Sequence, residues 1–455
     1  MLLPDLTMKS KSALIAFLLV LSMGVWPGSL RGQAPADTLA LDLETAMSLA
    51  FDLNPTLAIA ELGKQSREAR LNEQRGMLLP SLNASGQYNR NIKKPVFFLP
   101  PGSPFGDVLE VGSDNSYTGA LTATMPLYNP ALIRSIRAAR LEHTIAGEEY
   151  RAARIELQHM LHTAFFDALL AGESLEVIRQ SYANANENLE NIRKLYGQGM
   201  VAEFDLIRAE VQTENLRPTL LQAENGYQLA LNYLKAVIGL EEGQQISIRG
   251  SLAEASEKML EQFIIKEAGR SLMRNTDLVQ LDLQMNLLEK QARAIRATGL
   301  PSVAAASNYI YQTEANDFRF GDYSWVNTIS AGIQVNIPVF RGFTIRNQAR
   351  QVEIASRQLK LQRNYLEENL QIQLDNTLRS MSVAVEKSVN AERNVQLAER
   401  AYAIARARYD SGQGTLLEVN DSELALTQAR FNYLQARHEI LLTKAEYERF
   451  MGQNH

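Results

Sequence analysis

From Leu161 onward the apolar positions recur at alternating steps of three and four: Leu161, Ala164, Ala168, Ala171, Leu175, Ile178, Tyr182, Ala185, Leu189, Ile192 and Tyr196. Composition alone would make about five of these eleven apolar, so the run is a heptad seam of the kind made by helices wound around neighbours. Alanine at so many of its positions lets helix axes approach closely. Adding 213 to each number gives Leu374, Thr377, Met381, Ala384, Ser388, Ala391, Val395, Ala398, Tyr402, Ala405 and Tyr409, nine of eleven apolar in the same phase. The chain is an internal duplication.

The shift persists beyond the seam. It matches Tyr196-Gly197-Gln198-Gly199 to Tyr409-Asp410-Ser411-Gly412, and Gly239 to Gly452. A second seam follows each turn, over Leu216, Leu220, Ala223, Tyr227, Ala230, Leu234 and Val237, and then over Ala429, Tyr433, Ala436, Ile440, Thr443, Tyr447 and Phe450. Each copy thus holds a helical hairpin with a glycine-containing tip. No proline lies between Pro130 and Pro218 or after Pro338, and no glycine lies between Phe343 and Ser411. These stretches lack the main helix interrupters, and residues 131–196 as one helix would reach ~100 Å.

Upstream, a shift of 221 aligns Asn54, Leu57, Pro80, Ser81 and Tyr88 with Asn275, Leu278, Pro301, Ser302 and Tyr309. Asn54-Pro55 reads as a helix stop followed by a fresh start, with proline at the first helical position. Helices are predicted over about 55–78 and 276–298. After Pro80 and after Pro301 the period falls to two. Leu82, Ala84, Gly86 and Tyr88 alternate with Asn83, Ser85, Gln87 and Asn89, and Ile329, Ala331, Ile333, Val335 and Ile337 oppose Thr328, Ser330, Gln334 and Asn336. Four strands with one apolar and one polar face follow, arranged as two hairpins. Their connections, 91–115 and 313–324, are polar or proline-rich.

Composition narrows the chemistry. The 455 residues include no cysteine, which excludes a disulfide scaffold, a thiol nucleophile, Cys-ligated zinc, iron–sulfur chemistry and lipidation of an N-terminal cysteine. Lys+Arg number 46 against 51 Asp+Glu, a formal charge of −5, so no concentrated basic face for nucleic acid is expected. Lys9 and Lys11 precede an apolar run from Ala13 to Val25, with small residues at Gly32 and Ala34. That is the three-part pattern of a secretory signal over 1–34, and the run is short for a spanning helix. An exported chain with neither disulfides nor a spanning helix belongs in the periplasm, the medium or the outer membrane.

Four tilted strands cover an apolar band ~25 Å tall but cannot close a barrel around a lumen, and open edges in lipid leave unpaired backbone groups. One chain should therefore be a sector of a shared barrel, with three duplicated chains giving twelve strands and the helices a continuing tube. A soluble amphipathic sheet packed on a helical domain is the plain alternative. The expected division is a signal peptide over 1–34, a first repeat over 35–240, an inter-repeat linker or equatorial segment over 241–262 and a second repeat over 263–455. The first repeat carries strands near 81–90 and 116–126 and a helical hairpin near 130–238. The second carries strands near 302–312 and 325–338 and a hairpin near 343–451.

Asn54-Pro55, Leu79-Pro80-Ser81-Leu82, Met125-Pro126-Leu127-Tyr128, the run Leu195 to Val201 and Phe204-Asp205-Leu206 stand in one order, with second copies at Leu300-Pro301-Ser302, Ile337-Pro338-Val339-Phe340 and Tyr409 to Val419. In that order the chain resembles the TolC family of outer-membrane efflux proteins, unlipidated branch, over about 40–453. The resemblance implies a mainly α fold with a transmembrane β-barrel sector, built as a trimer with a twelve-stranded barrel and a periplasmic α-helical tunnel. It implies an exit duct of a tripartite efflux or type I secretion system, set in outer-membrane lipid and serving an inner-membrane pump through a periplasmic adaptor protein.

A duct needs a closable end, and the hairpin tips lie farthest from the strands. Glu418 and Asp421 share one helix face, so a trimer would repeat both around its axis, and a ring of acids attracts cations. The resemblance implies an acidic constriction at Glu418 and Asp421, a gate contact at Asp205 and a gate tyrosine at Tyr409, whose usual arginine partner would fall at Gly414. It also matches Gly199, Met200, Val201, Gly412, Gln413 and Gly414 to the region that meets adaptor hairpins. Read from the residues alone, the acids are equally solvated charges near helix N-termini, and the glycines cap helices.

His159 and His162, three apart on a helix, lack a third ligand, so no metal is expected. With no Walker loop, nucleophile elbow or zincin motif, neither a cofactor nor an enzyme is expected, and energy for export would come from a partner. A soluble periplasmic coiled-coil scaffold is the runner-up function, and an envelope hydrolase a distant third.

Overall fold

The computed structural model describes residues 38–266 and 272–452, and the expected leader lies outside them. Two strands of the chain lie side by side in parallel, β1 (Leu39–Leu41) and, much later, β6 (Ile246–Ile248). Between and beyond them run α1 (Leu43–Leu53), α2 (Pro55–Gly76), β2 (Ser81–Arg90), β3 (Val96–Phe98), β4 (Val108–Glu110), β5 (Asn115–Tyr128), α3 (Pro130–Gly197) and α4 (Glu203–Ile238). After β6 come α5 (Leu252–Lys266), α6 (Thr276–Ala297), β7 (Ser302–Ala315), β8 (Val326–Asn336), α7 (Thr344–Asp410) and α8 (Leu416–Met451).

The two long helices have 68 and 67 residues, about 100 Å each at ~1.5 Å per residue. Each folds back through a tight tip into a helix of 36 residues. The heptad seam supplies the contact. Leu161, Ala164, Ala168, Leu175, Ile178, Ala185, Leu189 and Ile192 are buried on α3, and Leu374, Met381, Ala384 and Ala391 are buried on α7. Pro218 sits inside α4 on its exposed side, and the helix runs through it. The seam against α3 on both sides of the proline offsets the lost backbone hydrogen bond.

The remaining length of each long helix is covered by a helix of 22 residues, α2 beside α3 and α6 beside α3 and α7. Each short helix begins where the returning hairpin helix ends. Asn54 caps α2 by accepting from Thr56 N at 2.8 Å, and its amide donates to the Val237 carbonyl of α4 at 2.7 Å. In the second copy Asn275 caps α6, accepting from Asp277 N at 3.1 Å, and donates to the Phe450 carbonyl of α8 at 3.1 Å. The asparagines and glycines that align in sequence thus weld two helices end to end in each repeat.

The four long strands form one antiparallel sheet in the order β2-β5-β7-β8, so the repeats join through β5 and β7. The register sorts the faces row by row. Asn83, Thr122, Asn308 and Ser330 stand abreast as a polar row, and the next row, on the opposite face, is Ala84, Leu121, Tyr309 and Ile329. All four strands join helices at one end of the sheet and loops at the other.

Two segments hold elements that the sequence reading did not name. The proline-rich connection 91–115 contains an antiparallel ribbon, β3 with β4, whose three-residue strands are too short to show a period of two. The linker 241–262 is structured: β6 pairs with β1, and α5 runs across position 262. The main core gathers here, with Leu41, Ala46, Leu57, Leu161, Phe166 and Leu234 buried together.

Candidate functional site: the hairpin tips and the sheet

Both tips are built by the same hydrogen bonds. After α3, Gly199 adopts φ +71°, its N–H donates to the Tyr196 carbonyl at 2.8 Å and the Met200 N–H donates to Leu195 at 2.9 Å. After α7, Gly412 adopts φ +72°, its N–H donates to Tyr409 at 2.9 Å and the Gln413 N–H donates to Arg408 at 2.8 Å. This paired pattern closes a helix C-terminus through a left-handed residue, which glycine occupies without a Cβ penalty. Gly199, Met200, Gly412 and Gln413 are exposed, and Val201 and Gly414 half-buried.

Tyr409 packs beside Leu189, Ile192, Ala209 and Leu416, with Val201 and Leu206 alongside. Burial, with the carboxylates of Asp205 and Asp410, pushes its hydroxyl pKa up. The structure therefore brings Tyr409 and Asp205 together, with an apolar cluster joining the two tips. Glu418 and Asp421 lie exposed on the first turns of α8, where Thr415 caps the helix by accepting from Glu418 N at 3.3 Å.

Position 414, where the family's usual arginine would fall, has no room for one. A Cβ at Gly414 would lie 3.1 Å from both the Arg408 Cβ and the Tyr409 nitrogen, so no larger side chain fits at 414 without a shift. A guanidinium at this tip comes from Arg408, which lies 3.5 Å from Glu418 Oε2 and donates to the Gln413 carbonyl at 3.1 Å. Its place directly before Tyr409 was the available signal.

Two residues farther from the tip, Arg406 of α7 donates to Glu187 of α3 at 2.9 Å, tying the two hairpins. Beside this pair Glu423 of α8 is partly buried, and its Oε1 has no hydrogen-bond partner. Burial raises the Glu423 pKa, outweighing the neighbouring Asn184 amide and Arg406 guanidinium. The nearby Tyr402 hydroxyl is pushed up as well, by burial first and Glu423 second. A carboxylate whose folded pKa is raised stabilises the fold below its unfolded value of about 4.3, and that contribution is lost as pH rises through the folded value. Glu423→Gln should therefore flatten the fall in thermal midpoint as pH rises. A variant that follows the parent's pH profile would exclude this role.

His159 and His162 face α8. His162 lies 3.9 Å from Glu448 Oε2, and burial holds the His159 imidazole below its usual range. Among the described residues no three His, Cys, Asp or Glu side chains gather as a metal site.

At the sheet, aromatic residues bracket the apolar face. Near the loop end Tyr88 stacks on Tyr117 at 4.9 Å between centroids, and Tyr311 on Trp325 at 4.8 Å. At the helix end Tyr128 is exposed and Phe340 meets Phe343 at 5.6 Å. Apolar bands flanked by two aromatic girdles mark outer-membrane barrels. The eleven residues of β8 extend ~36 Å, which a tilt of ~40° reduces to about that band height. Among the described residues no helix is long and apolar enough to cross a membrane.

A family model described as outer membrane efflux protein matches residues 46–240 and 268–453. Outer membrane protein TolC of Vibrio cholerae serotype O1 is 21% identical over 418 residues, covering 91% of this chain and 91% of that protein. Two solved structures share the fold. The CmeC outer membrane channel of Campylobacter jejuni has a TM-score of 0.70 at 17% identity, covering 90% of this chain and 85% of that one. CusC, whose structures concern folding and transmembrane channel formation, has a TM-score of 0.70 at 19% identity, covering 94% and 96%. Since the family match takes in most of the described fold, this chain belongs to the outer membrane efflux protein family.

Proposed function

We propose that the chain, as an outer-membrane protein, is one third of an exit duct that passively conducts cargo delivered by an inner-membrane pump. The observation that carries this is the sheet, whose apolar rows lie uncovered on one face while polar rows lie on the other. Its outer strands β2 and β8 are each exposed along their whole length and each bond to only one neighbour. Unpaired edges are not tolerated in lipid, and closure by two further copies meets the requirement. Further support comes from the helices. Phe204, Ile207 and Val211 on α4, and Leu397 and Ile404 on α7, form additional stripes at heptad spacing that one chain leaves exposed and that helices of a neighbouring copy would cover.

In this reading residues 35–240 and 263–455 are the two repeats, following removal of a leader over 1–34, and the tips form the periplasmic mouth. Gly199, Met200, Val201, Gly412, Gln413 and Gly414 meet the adaptor protein, and Tyr409, Asp205, Glu418 and Asp421 form the gate. Fractionation tests the whole: the protein should remain in detergent-extracted outer membranes and run as a trimer by light scattering. Release with the periplasmic contents would establish a soluble scaffold instead.

For the gate, Glu418→Gln combined with Asp421→Asn should lower cation selectivity in planar-bilayer conductance, because a three-fold ring of carboxylates concentrates cations. Unchanged selectivity with the trimer intact would refute the ring.

A further inference from the structure

The ribbon β3–β4 stands at the loop end of the sheet and is firmly built. Its ladder pairs Val96 with Glu110, Phe97 with Leu109 and Phe98 with Val108. At its base Lys94 Nζ lies 3.2 Å from Asp114 Oδ1 and donates to Asn316 Oδ1 at 3.0 Å, and the Val111 N–H donates to the Pro95 carbonyl at 2.9 Å. Cross-strand pairing puts Phe97 and Leu109 on one face and Val96, Phe98 and Val108, with Glu110 at its end, on the other. Neither face is covered by the chain: Phe97 is 61% exposed and Phe98 81%. A lone two-stranded ribbon is marginal in water, and apolar residues on both faces demand a partner on each side.

We propose that the β3–β4 ribbons of neighbouring copies pack on one another and on each other's β7–β8 loops, forming an apolar collar around the outer mouth of the duct. The inference rests on the trimeric duct proposed above. Three features select a second copy of this chain as the partner. A segment lying on a membrane surface is apolar on one face and polar on the other, whereas this ribbon carries large apolar side chains on both, with Glu110 the one charge on either face. Residues 91–114 carry Asp107, Glu110 and Asp114 against Lys93 and Lys94, an acidic balance that gives no attraction to anionic headgroups. The ribbon also rises from β2 and β5, and β2 is a free edge of the sheet. Its base is held to its own chain's Asn316, just past β7, by Lys94 and the Asp114 N–H, and in the proposed trimer the edge β2 from which it rises would meet the next copy's β8, whose loop carries exposed Phe318 and Phe320.

The absence of native cysteine makes the test clean. Phe98→Cys, oxidised in the detergent-purified protein, should shift from single-chain mass to twice that mass on a denaturing gel. Ile329→Cys on the lipid-facing side of β8 should not. Phe97→Ser with Phe98→Ser should raise single-channel conductance while leaving the trimer intact. A trimer in which Phe98→Cys fails to crosslink, and reacts freely with a water-soluble maleimide, would overturn the collar alone. So would quenching of a fluorophore at that position by brominated lipid, which would assign the ribbon to the membrane. Absence of a trimer by light scattering would instead defeat the duct itself.

Discussion

Ile329→Arg should keep the protein from assembling in the outer membrane, and Ser330→Arg, one residue along the same strand, should not. The two positions lie at the same depth of β8 and in adjacent rows of the sheet. Ile329 stands abreast of Tyr309 and Leu121 on the apolar face, and Ser330 abreast of Asn308 and Thr122 on the polar one. An arginine facing lipid near the bilayer midplane costs roughly 2–4 kcal/mol per chain, whereas lumen positions of a barrel tolerate charge and tune selectivity. A trimer carries that cost three times, enough to remove most of the assembled protein. The measurement is the amount of trimer recovered from purified outer membranes, with planar-bilayer selectivity for Ser330→Arg, which should shift toward anions. Equal recovery of the two variants, or loss of the second alone, would reverse or abolish the assignment of faces.

The next largest effect is expected at the welds between helices. Gly452 closes α8 with φ +61°, and a Cβ there would overlap the Arg274 carbonyl oxygen, onto which Arg151 donates at 2.9 Å while also donating to the Gly452 carbonyl at 3.1 Å. Gly239 closes α4 with φ +90°, and its Cβ would fall 2.7 Å from the Leu53 oxygen. An alanine must pay the left-handed penalty and push a backbone carbonyl away, so Gly452→Ala should cost roughly 3 kcal/mol and Gly239→Ala roughly 2 kcal/mol. Gly147 and Gly226 are the controls. They lie inside α3 and α4 with open space around the added methyl, and alanine there should favour the helix by up to ~1 kcal/mol. Thermal unfolding followed by circular dichroism ranks the four. A Gly452→Ala protein that melts with the parent would show that the weld is pliable.

Arg408 shows why the tip proposed as the gate was only partly legible. At position 414, where the family's usual arginine would fall, an added side chain meets the turn's own backbone, and the Arg408 guanidinium reaches Glu418 from the other side of the hairpin. Sequence spacing locates a residue along a helix but not the side chain that arrives across a turn. Glu187, Arg406 and Glu423 were missed for the same reason. They lie on three helices, and neither polar spacing nor charge order along any one of them announces the meeting.

By itself the sequence determined the duplicated helix, strand-hairpin and helical-hairpin plan of the fold, because periods of 3.5 and 2, and the glycines and prolines between them, are local properties of the chain. It also determined which residues of each strand share a face, since alternation fixes that before any pairing forms. Only the tertiary structure decided that β5 and β7 join the repeats, that Asn54 and Asn275 reach the carbonyls of Val237 and Phe450, and that the proline-rich loop forms a ribbon. Those contacts link residues far apart in the chain, and no local pattern encodes the partner's position.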